Sequence, residues 1–577
     1  MRLAGTIPAQ LLVLACACVP YPRVEPWEYA PRSMADTLPI LEPEETRESL
    51  IYSQVHGFGE AIARGSNTKR LVHGPPPSWN ADPFDEVANS TWFTNRNGRR
   101  ALAPEEIRRG PQEGSGPVAP LKVTSIKSEG VSPGFNVEDA TGQRWIFKFD
   151  PPDFWELSSG AEVVATNLFW AAGYNTPENY IHAFDPADLT LEDDPEDPLV
   201  AEFVEDSVAV EYSTNPEEDQ RQLTLAVFTR HVLDRYPRDG SGRIRALASK
   251  FLSGVPKGPF EYIGVREDDP NDVIPHEHRR ELRGLYPMAA WLNHTDIKAG
   301  NSLDMFIVDA ENPNDEDAPK TGYIRHHLID FGSALGSSAV RPHDARHGNE
   351  YQFDGGAMFL RTFTLGAYER PWQGFEEGPY PPSIGYYSVD NYNPADWRSN
   401  MVNSALINRT PADGYWGTKL VMSFTDEQLD AAVAAGQYSD PAAAAYLLRS
   451  LRERRDATGR YWFSQVSPLD APRVEGGSLA FDDLWIRHFG GPASYRWRFD
   501  WDAADPDLEV GGTTNAPAIP LPLPEGRIDA APDDDERYAE LEVWKVFEHG
   551  DEAPRPATFW LAWDPGSRAW SVVGARY

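Results

Sequence analysis

The chain has 577 residues, too many for one ordinary hydrophobic core, and its length predicts about two or three domains. Hydrophobic residues make up 41% of it and 18 residues are tryptophan, which is enough apolar side chain to fill such cores. The formal net charge of −36 argues against nucleic acid as a partner, because a phosphate backbone would be repelled.

Residues 1–18 have the pattern of a signal peptide. Arg2 precedes a short apolar run that ends in the letters VLAC, with Cys16 as the last of them. A membrane-spanning helix needs about 20 apolar residues, so a run this short is typical of a signal-peptide core. VLAC resembles the lipobox of bacterial lipoproteins, which implies export, a lipid on Cys16 and attachment to a membrane. If the signal is not used, we expect a cytoplasmic protein.

The N-terminal extension, residues 19–118, is rich in proline and polar side chains. Apolar residues at helical spacing predict a helix over residues 44–65, and a shorter helix is expected near Pro104. The rest of the extension lacks a core pattern of its own. We therefore expect it to wrap around a larger body.

The main domain is predicted over residues 119–466, and residues 121–150 have the pattern of three strands. Gly130 and Gly134 flank the first connection, where backbone N–H groups can approach a phosphate, although an ordinary hairpin turn explains the same pattern. Lys148 lies in the third strand among Trp, Ile and Phe. A lysine there either reaches solvent or needs an anionic partner, because burying an unpaired charge is costly.

Glu162 is a candidate partner for Lys148. The sequence SSGAEVVATNLFWAAG predicts a helix that ends at Gly173. Ser159 and Glu162 also match a capping box, in which the glutamate bonds the backbone at the start of its own helix. Both interpretations use the same side chain, and the sequence alone does not choose between them.

A hairpin with polar residues at one end follows further along the chain. Residues 302–309 and 322–330 are apolar segments joined by an acidic connection, and they predict neighbouring strands. Asp296 and Asn301 precede the first strand, and Asp330 follows the second. Carboxylate and amide oxygens are ligands that Mg²⁺ prefers, and bound phosphate can complete its shell. The pattern therefore predicts a magnesium site.

In this order, the motifs resemble those of the protein-kinase-like superfamily, over residues 121–464. The sequence HTDIKAGN is similar to the kinase catalytic loop and LIDFG to the magnesium-binding segment. Lys148 and Glu162 are similar to the strand lysine and the helix glutamate. Thr295 stands where ordinary protein kinases have an arginine, only two loop glycines are present, and an APE-like segment is missing. These departures are more similar to the atypical branch, which includes phosphatidylinositol kinases and toxin-type serine kinases.

The resemblance implies an α+β fold, with a two-lobed kinase-like domain divided into a small lobe of about residues 119–255 and a large lobe of about residues 256–466. It also implies ATP and Mg²⁺ as cofactors and phosphoryl transfer to a hydroxyl acceptor. The implied roles are nucleotide binding by Lys148, Glu162, Gly130 and Gly134, metal ligation by Asn301 and Asp330, and catalysis by Asp296 and Lys298.

Residues 473–577 predict a small all-β, sandwich-like domain. In SYRWRFDWD, aromatic and charged residues alternate, which is typical of a half-buried strand. Its tryptophans fit a core or an interdomain contact better than a carbohydrate-binding face.

Three classes of function remain open. The first is an exported kinase that acts on a protein, lipid or small-molecule hydroxyl. The second is an exported pseudokinase that binds nucleotide without turnover. The third is an envelope recognition protein that binds its ligand through the β-domain. The sequence identifies neither the acceptor nor the oligomeric state.

Overall fold

The structure is a computed structural model. It describes residues 36–46, 74–126, 132–191, 199–204, 207–212, 220–222, 224–310, 320–501, 510–523 and 537–577. The signal-peptide region with Cys16, nearly all of the helix predicted over residues 44–65, and Gly130 lie outside the described residues. The architecture is α+β, with several sheets and a set of helices.

The elements are numbered in chain order. The strands are β1 (Ile40–Leu41), β2 (Leu121–Ile126), β3 (Gly134–Glu138), β4 (Arg144–Lys148), β5 (Asn179–Phe184), β6 (Leu189–Leu191), β7 (Leu199–Val204), β8 (Ser207–Tyr212), β9 (Gln220–Gln222), β10 (Ile244–Lys250), β11 (Val255–Pro256), β12 (Ser302–Ala310), β13 (Thr321–Leu328), β14 (Leu469–Glu475), β15 (Ser478–Asp483), β16 (Tyr495–Asp500), β17 (Val510–Thr514), β18 (Ala518–Pro520), β19 (Tyr538–Lys545), β20 (Ala557–Asp564) and β21 (Ala569–Arg576). The α-helices are α1 (Pro104–Arg109), α2 (Leu157–Ala172), α3 (Leu225–His231), α4 (Arg280–Arg283), α5 (Leu285–Leu292), α6 (Gly355–Phe363), α7 (Ser404–Ile407), α8 (Pro411–Met422), α9 (Asp426–Ala435), α10 (Pro441–Phe463) and α11 (Leu484–Phe489).

Six strands form one sheet in the spatial order β5-β10-β4-β3-β2-β6. Side chains alternate between the two faces of a strand, so neighbours in β4 point in opposite directions. Phe147 lies in the aromatic core on one face of the sheet. Lys148 pairs with Leu247 of β10, which packs against Val163 of α2 on the other face. The strand pattern therefore directs Lys148 towards α2.

Helix α2 is buried along almost its whole length, between the six-stranded sheet and the helices that follow in the chain. A helix in this position has no solvent-facing side for polar groups. Its polar side chains Glu162, Thr166 and Asn167 are each less than 4% exposed. Each needs a partner inside the protein, since an unpaired buried polar group is destabilising.

The predicted hairpin is present as β12 and β13, which pair antiparallel from Ser302 opposite Leu328 to Ala310 opposite Thr321. Strand β1 extends this sheet beyond β13, and β11 extends it beyond β12. Strand β13 ends before Asp330, which lies in the following turn with a φ of 63°.

The helices α4, α5, α8, α9 and α10 share a large core around Trp291, whose indole Nε1 donates to the carbonyl of Leu451 at 2.9 Å. Pro287 lies in the first turn of α5, where a missing N–H breaks no helical hydrogen bond. Thr425 and Gln428 form a capping box at the start of α9. Helix α10 continues to Phe463.

The C-terminal strands form a five-stranded sheet in the order β17-β16-β19-β20-β21 and a three-stranded sheet in the order β14-β15-β18. Phe481 and Phe559 stack between the two sheets with ring centroids 6.3 Å apart. Tyr415 of α8 and Phe463 of α10 belong to the same apolar cluster. The C-terminal sheets therefore pack directly against the helices.

None of the helices in the described part of the chain has the length and apolar character that crossing a bilayer requires.

A buried ionic network joins α4 to α8. The carboxylate of Asp413 lies 2.8 Å from Arg280 Nε and accepts from Arg283 Nη1 at 3.4 Å, and all three side chains are at most 2% exposed. Arg280 also pairs with Asp85 of the N-terminal extension at 2.8 Å. These guanidinium groups are shielded from water, and the attraction of the carboxylates offsets the free-energy cost of burying them.

We expect Asp413→Ala to lower the free energy of unfolding by about 3–5 kcal/mol, because Arg283 is left buried without a carboxylate. Chemical denaturation measures this effect. The matched control is Glu475→Ala, which removes an exposed partner of Arg473 and is expected to change stability by at most about 0.5 kcal/mol. Equal effects of the two substitutions would contradict the role of the network.

Candidate functional site

Lys148 lies between two carboxylates. Its Nζ donates to Asp330 Oδ1 at 3.0 Å and lies 3.8 Å from Glu162 Oε2. Burial lowers the pKa of Lys148, but the charges of Asp330 and Glu162 outweigh it and raise that pKa above its usual value. The site therefore holds a permanent cation whose position is set by two different parts of the chain.

Glu162 does not cap its own helix. Helix α2 begins at Leu157, two residues before Ser159, so Glu162 lies in its second turn. Its Oε1 accepts from the backbone N–H of Phe331 at 3.1 Å, while Oε2 faces Lys148. Of the two interpretations that the sequence left open, the structure supports the pair with Lys148.

Asp150 binds the first turn of α2 instead. Its carboxylate accepts from the backbone N–H of Ser159 at 2.8 Å, from the Ser159 hydroxyl at 2.7 Å and from the backbone N–H of Glu156 at 3.1 Å. The first N–H groups of a helix have no partners within the helix, and a carboxylate there also interacts favourably with the helix dipole. Asp150 follows Lys148 by two residues, so one short segment connects the lysine strand to the glutamate helix.

Sequence reasoning missed Asp150 because a cap is normally sought next to the first helical residue. Six residues separate Asp150 from Leu157, including two prolines. The available signal was an aspartate followed by a proline pair before two serines. It is weak, since many surface loops contain the same residues.

The segment before β12 brings three polar side chains together. Asn301 Nδ2 donates to Asp296 Oδ2 at 2.9 Å and to the Asp296 carbonyl at 2.7 Å. Lys298 Nζ lies 3.2 Å from the same carboxylate oxygen. Because the amide nitrogen of Asn301 is used in this way, its amide oxygen is the group that can ligate a cation.

The two groups of side chains meet at the end of the hairpin. The backbone N–H of Ile329 donates to the carbonyl of Asn301 at 3.1 Å, which places Asp330 beside the Asp296 segment. Below them, the ring of Phe331 packs 5.4 Å from His294 and 4.9 Å from Phe169 of α2. These apolar contacts hold the hairpin end against the glutamate helix.

His294 is buried near the carboxylates of Asp296 and Asp330. Burial lowers its pKa to about 4, even though the charges of Asp296 and Asp330 act to raise it. The imidazole is therefore neutral at neutral pH and serves as an aromatic packing surface.

Gly134 is required by strand packing. It lies in β3 directly opposite Lys148, and a Cβ at this position would come within 2.1 Å of the Phe147 carbonyl oxygen. The glycine therefore allows the strands to approach each other next to the lysine, and this contact explains the residue without a phosphate. Gly130 lies outside the described residues.

Thr295 is fully buried, and its carbonyl accepts from the backbone N–H of Asn400 at 2.6 Å. It therefore connects the Asp296 segment to the loop before α7. Its short neutral side chain adds no cation next to Asp296.

The donor set fits magnesium and a phosphate ligand. In the described ranges, no three His, Cys, Asp or Glu side chains are grouped to hold a metal. Asp330, whose side chain is 49% exposed, and the Asn301 oxygen supply one carboxylate and one amide. Mg²⁺ is commonly held by one or two protein ligands together with water and substrate phosphates. A phosphate bound there would meet the positive charge of Lys148.

No family model matches this chain, and no curated protein or solved structure matches it either.

We expect His294 to make folding stability fall as the pH drops below about 6.5. Its pKa in the folded protein is about 4, below the value of the unfolded chain, so the unfolded chain takes up the proton first. The contribution to stability is fully present above about pH 6.5 and is lost towards about pH 4. The slope of the unfolding free energy against pH reports how many more protons the unfolded chain binds than the folded protein. His294→Phe should lower this difference by up to about one proton in this window.

Denaturant unfolding of both proteins across this pH range measures the slope. His549→Phe is the control, because His549 is exposed and should leave the slope as it is in the wild type. A His294→Phe slope equal to that of the wild type would show that the imidazole is protonated as readily in the folded protein as in the unfolded chain.

Proposed function

We propose that this protein is an ATP- and magnesium-dependent phosphotransferase of the atypical kinase type, with a hydroxyl group as acceptor. The observation that carries the proposal is the contact of Lys148 with both Glu162 and Asp330, next to the bonded set of Asp296, Lys298 and Asn301. Phosphoryl transfer depends on positioning and charge neutralisation more than on covalent catalysis. This group of side chains is suited to both.

The proposal includes a two-lobed kinase-like domain, with a small lobe of about residues 119–255 and a large lobe of about residues 256–466. This division into lobes is supported by the parts of the fold from which the site residues come. Lys148 and Glu162 come from the six-stranded sheet and the helix across it, whereas Asp296 and Asp330 flank the hairpin beside the large helical core. The C-terminal sheets would then be an appended all-β, sandwich-like domain.

Lys148 would bind phosphate oxygens of the nucleotide, and Glu162 would fix the direction of the lysine side chain. Asp330 and Asn301 would hold Mg²⁺, which neutralises the charge on the phosphates. Asp330 Oδ1 accepts a hydrogen bond from Lys148 Nζ at 3.0 Å. Binding of nucleotide and metal would therefore exchange this bond for contacts to the ligands.

Asp296 would orient the acceptor hydroxyl and take its proton, which is the role of a general base. The same carboxylate is held by Asn301, so its direction is set before the acceptor arrives. Lys298 lies beside it and would neutralise charge on the transferring phosphate. Because Thr295 provides no cation, we propose that activity does not need a phosphorylated regulatory segment.

Export and a lipid on Cys16 belong to the same proposal, with a cytoplasmic enzyme as the alternative. ATP is scarce outside the cytoplasm, so a cytoplasmic enzyme has its phosphoryl donor at hand and an exported enzyme does not. Mass spectrometry of the mature N-terminus separates them. A lipidated Cys16 as first residue supports export, and an intact Met1 contradicts it.

Asp330→Asn and Asp296→Asn are expected to separate binding from turnover. ATP should raise the melting temperature of the wild type most strongly with Mg²⁺ present, and Asp330→Asn should lose the magnesium-dependent part. Asp296→Asn should keep that shift, because Asp296 is not the main metal ligand, while ATP turnover falls by about 10²–10⁴-fold. The matched control is Asp390→Asn, an exposed aspartate whose carboxylate accepts from the hydroxyl of nearby Ser388.

The other outcomes decide between the alternatives. Magnesium-dependent ATP binding with no turnover in the wild type would indicate a nucleotide-binding pseudokinase. Absence of nucleotide binding would overturn both the active kinase and the pseudokinase, and would leave the recognition function of the β-domain. Deletion of the residues after about 470 would then test that function by its effect on partner binding.

A further inference from the structure

A segment of the N-terminal extension lies against the C-terminal end of the glutamate helix. We call residues 94–110 the brace. The backbone N–H groups of Thr94 and Asn97 donate to the carbonyls of Gly173 and Ala171 at 2.9 and 3.0 Å. Arg96 Nη1 donates to the carbonyl of Trp170 at 2.7 Å. The last carbonyls of a helix have no partner within the helix, so the brace supplies hydrogen-bond donors at this end of α2, where the Gly173 N–H also caps Trp170.

The brace also contacts the middle of α2. Asn167 is fully buried, and its Nδ2 donates to the carbonyl of Arg108 at 2.8 Å. Gly110 passes so close to this side chain that a Cβ would lie 2.0 Å from Asn167 Oδ1. The backbone of Gly110 also has a φ of 59°, a value that favours glycine. The chain can therefore pass α2 here only with glycine at position 110.

The other side of the brace is bonded to α9. Gln428 Nε2 donates to Asn97 Oδ1 at 2.9 Å and to the carbonyl of Leu102 at 2.7 Å. Asn97 Nδ2 in turn donates to the Ser423 hydroxyl at 3.0 Å, just before α9. The brace thus connects α2 to the helical part of the main domain through buried hydrogen bonds.

Asn167 and Glu162 are on the same helix, five residues apart. Helices move as rigid units over this distance, so a displacement at Asn167 also displaces Glu162. The glutamate lies 3.8 Å from Lys148, and a small shift would break the pair. Asp150 holds the first turn of α2, so the brace and Asp150 hold the helix at both ends.

We propose that the brace is a positioning element of the site. It holds α2 permanently at the distance that pairs Glu162 with Lys148, so the pair forms without an activating signal. This inference rests on the proposed function, because its consequence is measured as phosphoryl transfer. It assigns the extension a role in turnover, beyond wrapping the main domain.

Gly110→Ala tests the proposal by pushing the brace against Asn167. We expect kcat to fall by about 10- to 100-fold, since small misplacements in a catalytic site have effects of this size. Hydrogen exchange of the α2 amides in the nucleotide-free protein should become faster. The matched control is Gly476→Ala, where φ is 56° and no atom lies within 4 Å of the added Cβ. It introduces similar backbone strain far from α2.

Removal of the obstructing side chain provides a rescue. Gly110→Ala combined with Asn167→Ala should recover most of the kcat of Asn167→Ala alone, because the carboxamide that meets the new Cβ is gone. A merely structural role would lower the amount of folded protein in Gly110→Ala and leave the kcat per folded molecule as in the wild type, with nothing to rescue. Absence of rescue would overturn the proposal.

Arg96→Met is the second variant, for use if Gly110→Ala does not fold. It removes the bonds to the carbonyls of Trp170 and Tyr174 and keeps the aliphatic part of the side chain. We expect a smaller fall in kcat with faster exchange in α2. Wild-type kcat in both Gly110→Ala and Arg96→Met would overturn the inference and leave the proposed function intact. A wild type without turnover would overturn both.

Discussion

The contact of Lys148 with Glu162 and Asp330 imposes conditions on much of the surrounding structure. A lysine near α2 needs both carboxylates, and one of them is on a helix that is buried along almost its whole length. Such a helix stays in place only if its terminal backbone groups have partners. Asp150 provides them at the first turn, and the N-terminal extension provides them at the last.

The need of buried groups for partners also governs the charged side chains elsewhere in this acidic protein. Charged side chains that remain in solvent have little influence on the fold. The buried charges are instead neutralised locally, as Arg280 is by Asp85 and Asp413. Buried ionic pairs add little net stability, but they disfavour arrangements in which one partner is missing. Paired groups of this kind thus determine which segments lie together.

Local patterns predicted the elements that depend on local chemistry. The hairpin of β12 and β13 and the short helix at Pro104 both follow from residues close together in the chain. The C-terminal end of α10 at Phe463 is not marked in this way, because Gly459 lies inside the helix and does not end it. The functions of Asp150 and Gly110 were not predicted, since their partners are defined by distance in space.

The sequence by itself determined which chemical groups are available and their order: a lysine, a glutamate, then two aspartates with an asparagine between them. Spacing also determined that Asp296, Asn301 and Asp330 gather at one end of a hairpin, because strand pairing follows from local pattern. Only the tertiary structure decided that Glu162 meets Lys148 and does not cap its own helix. The reason is physical: one carboxylate had two possible partners, and its helix starts where Asp150 supplies the cap.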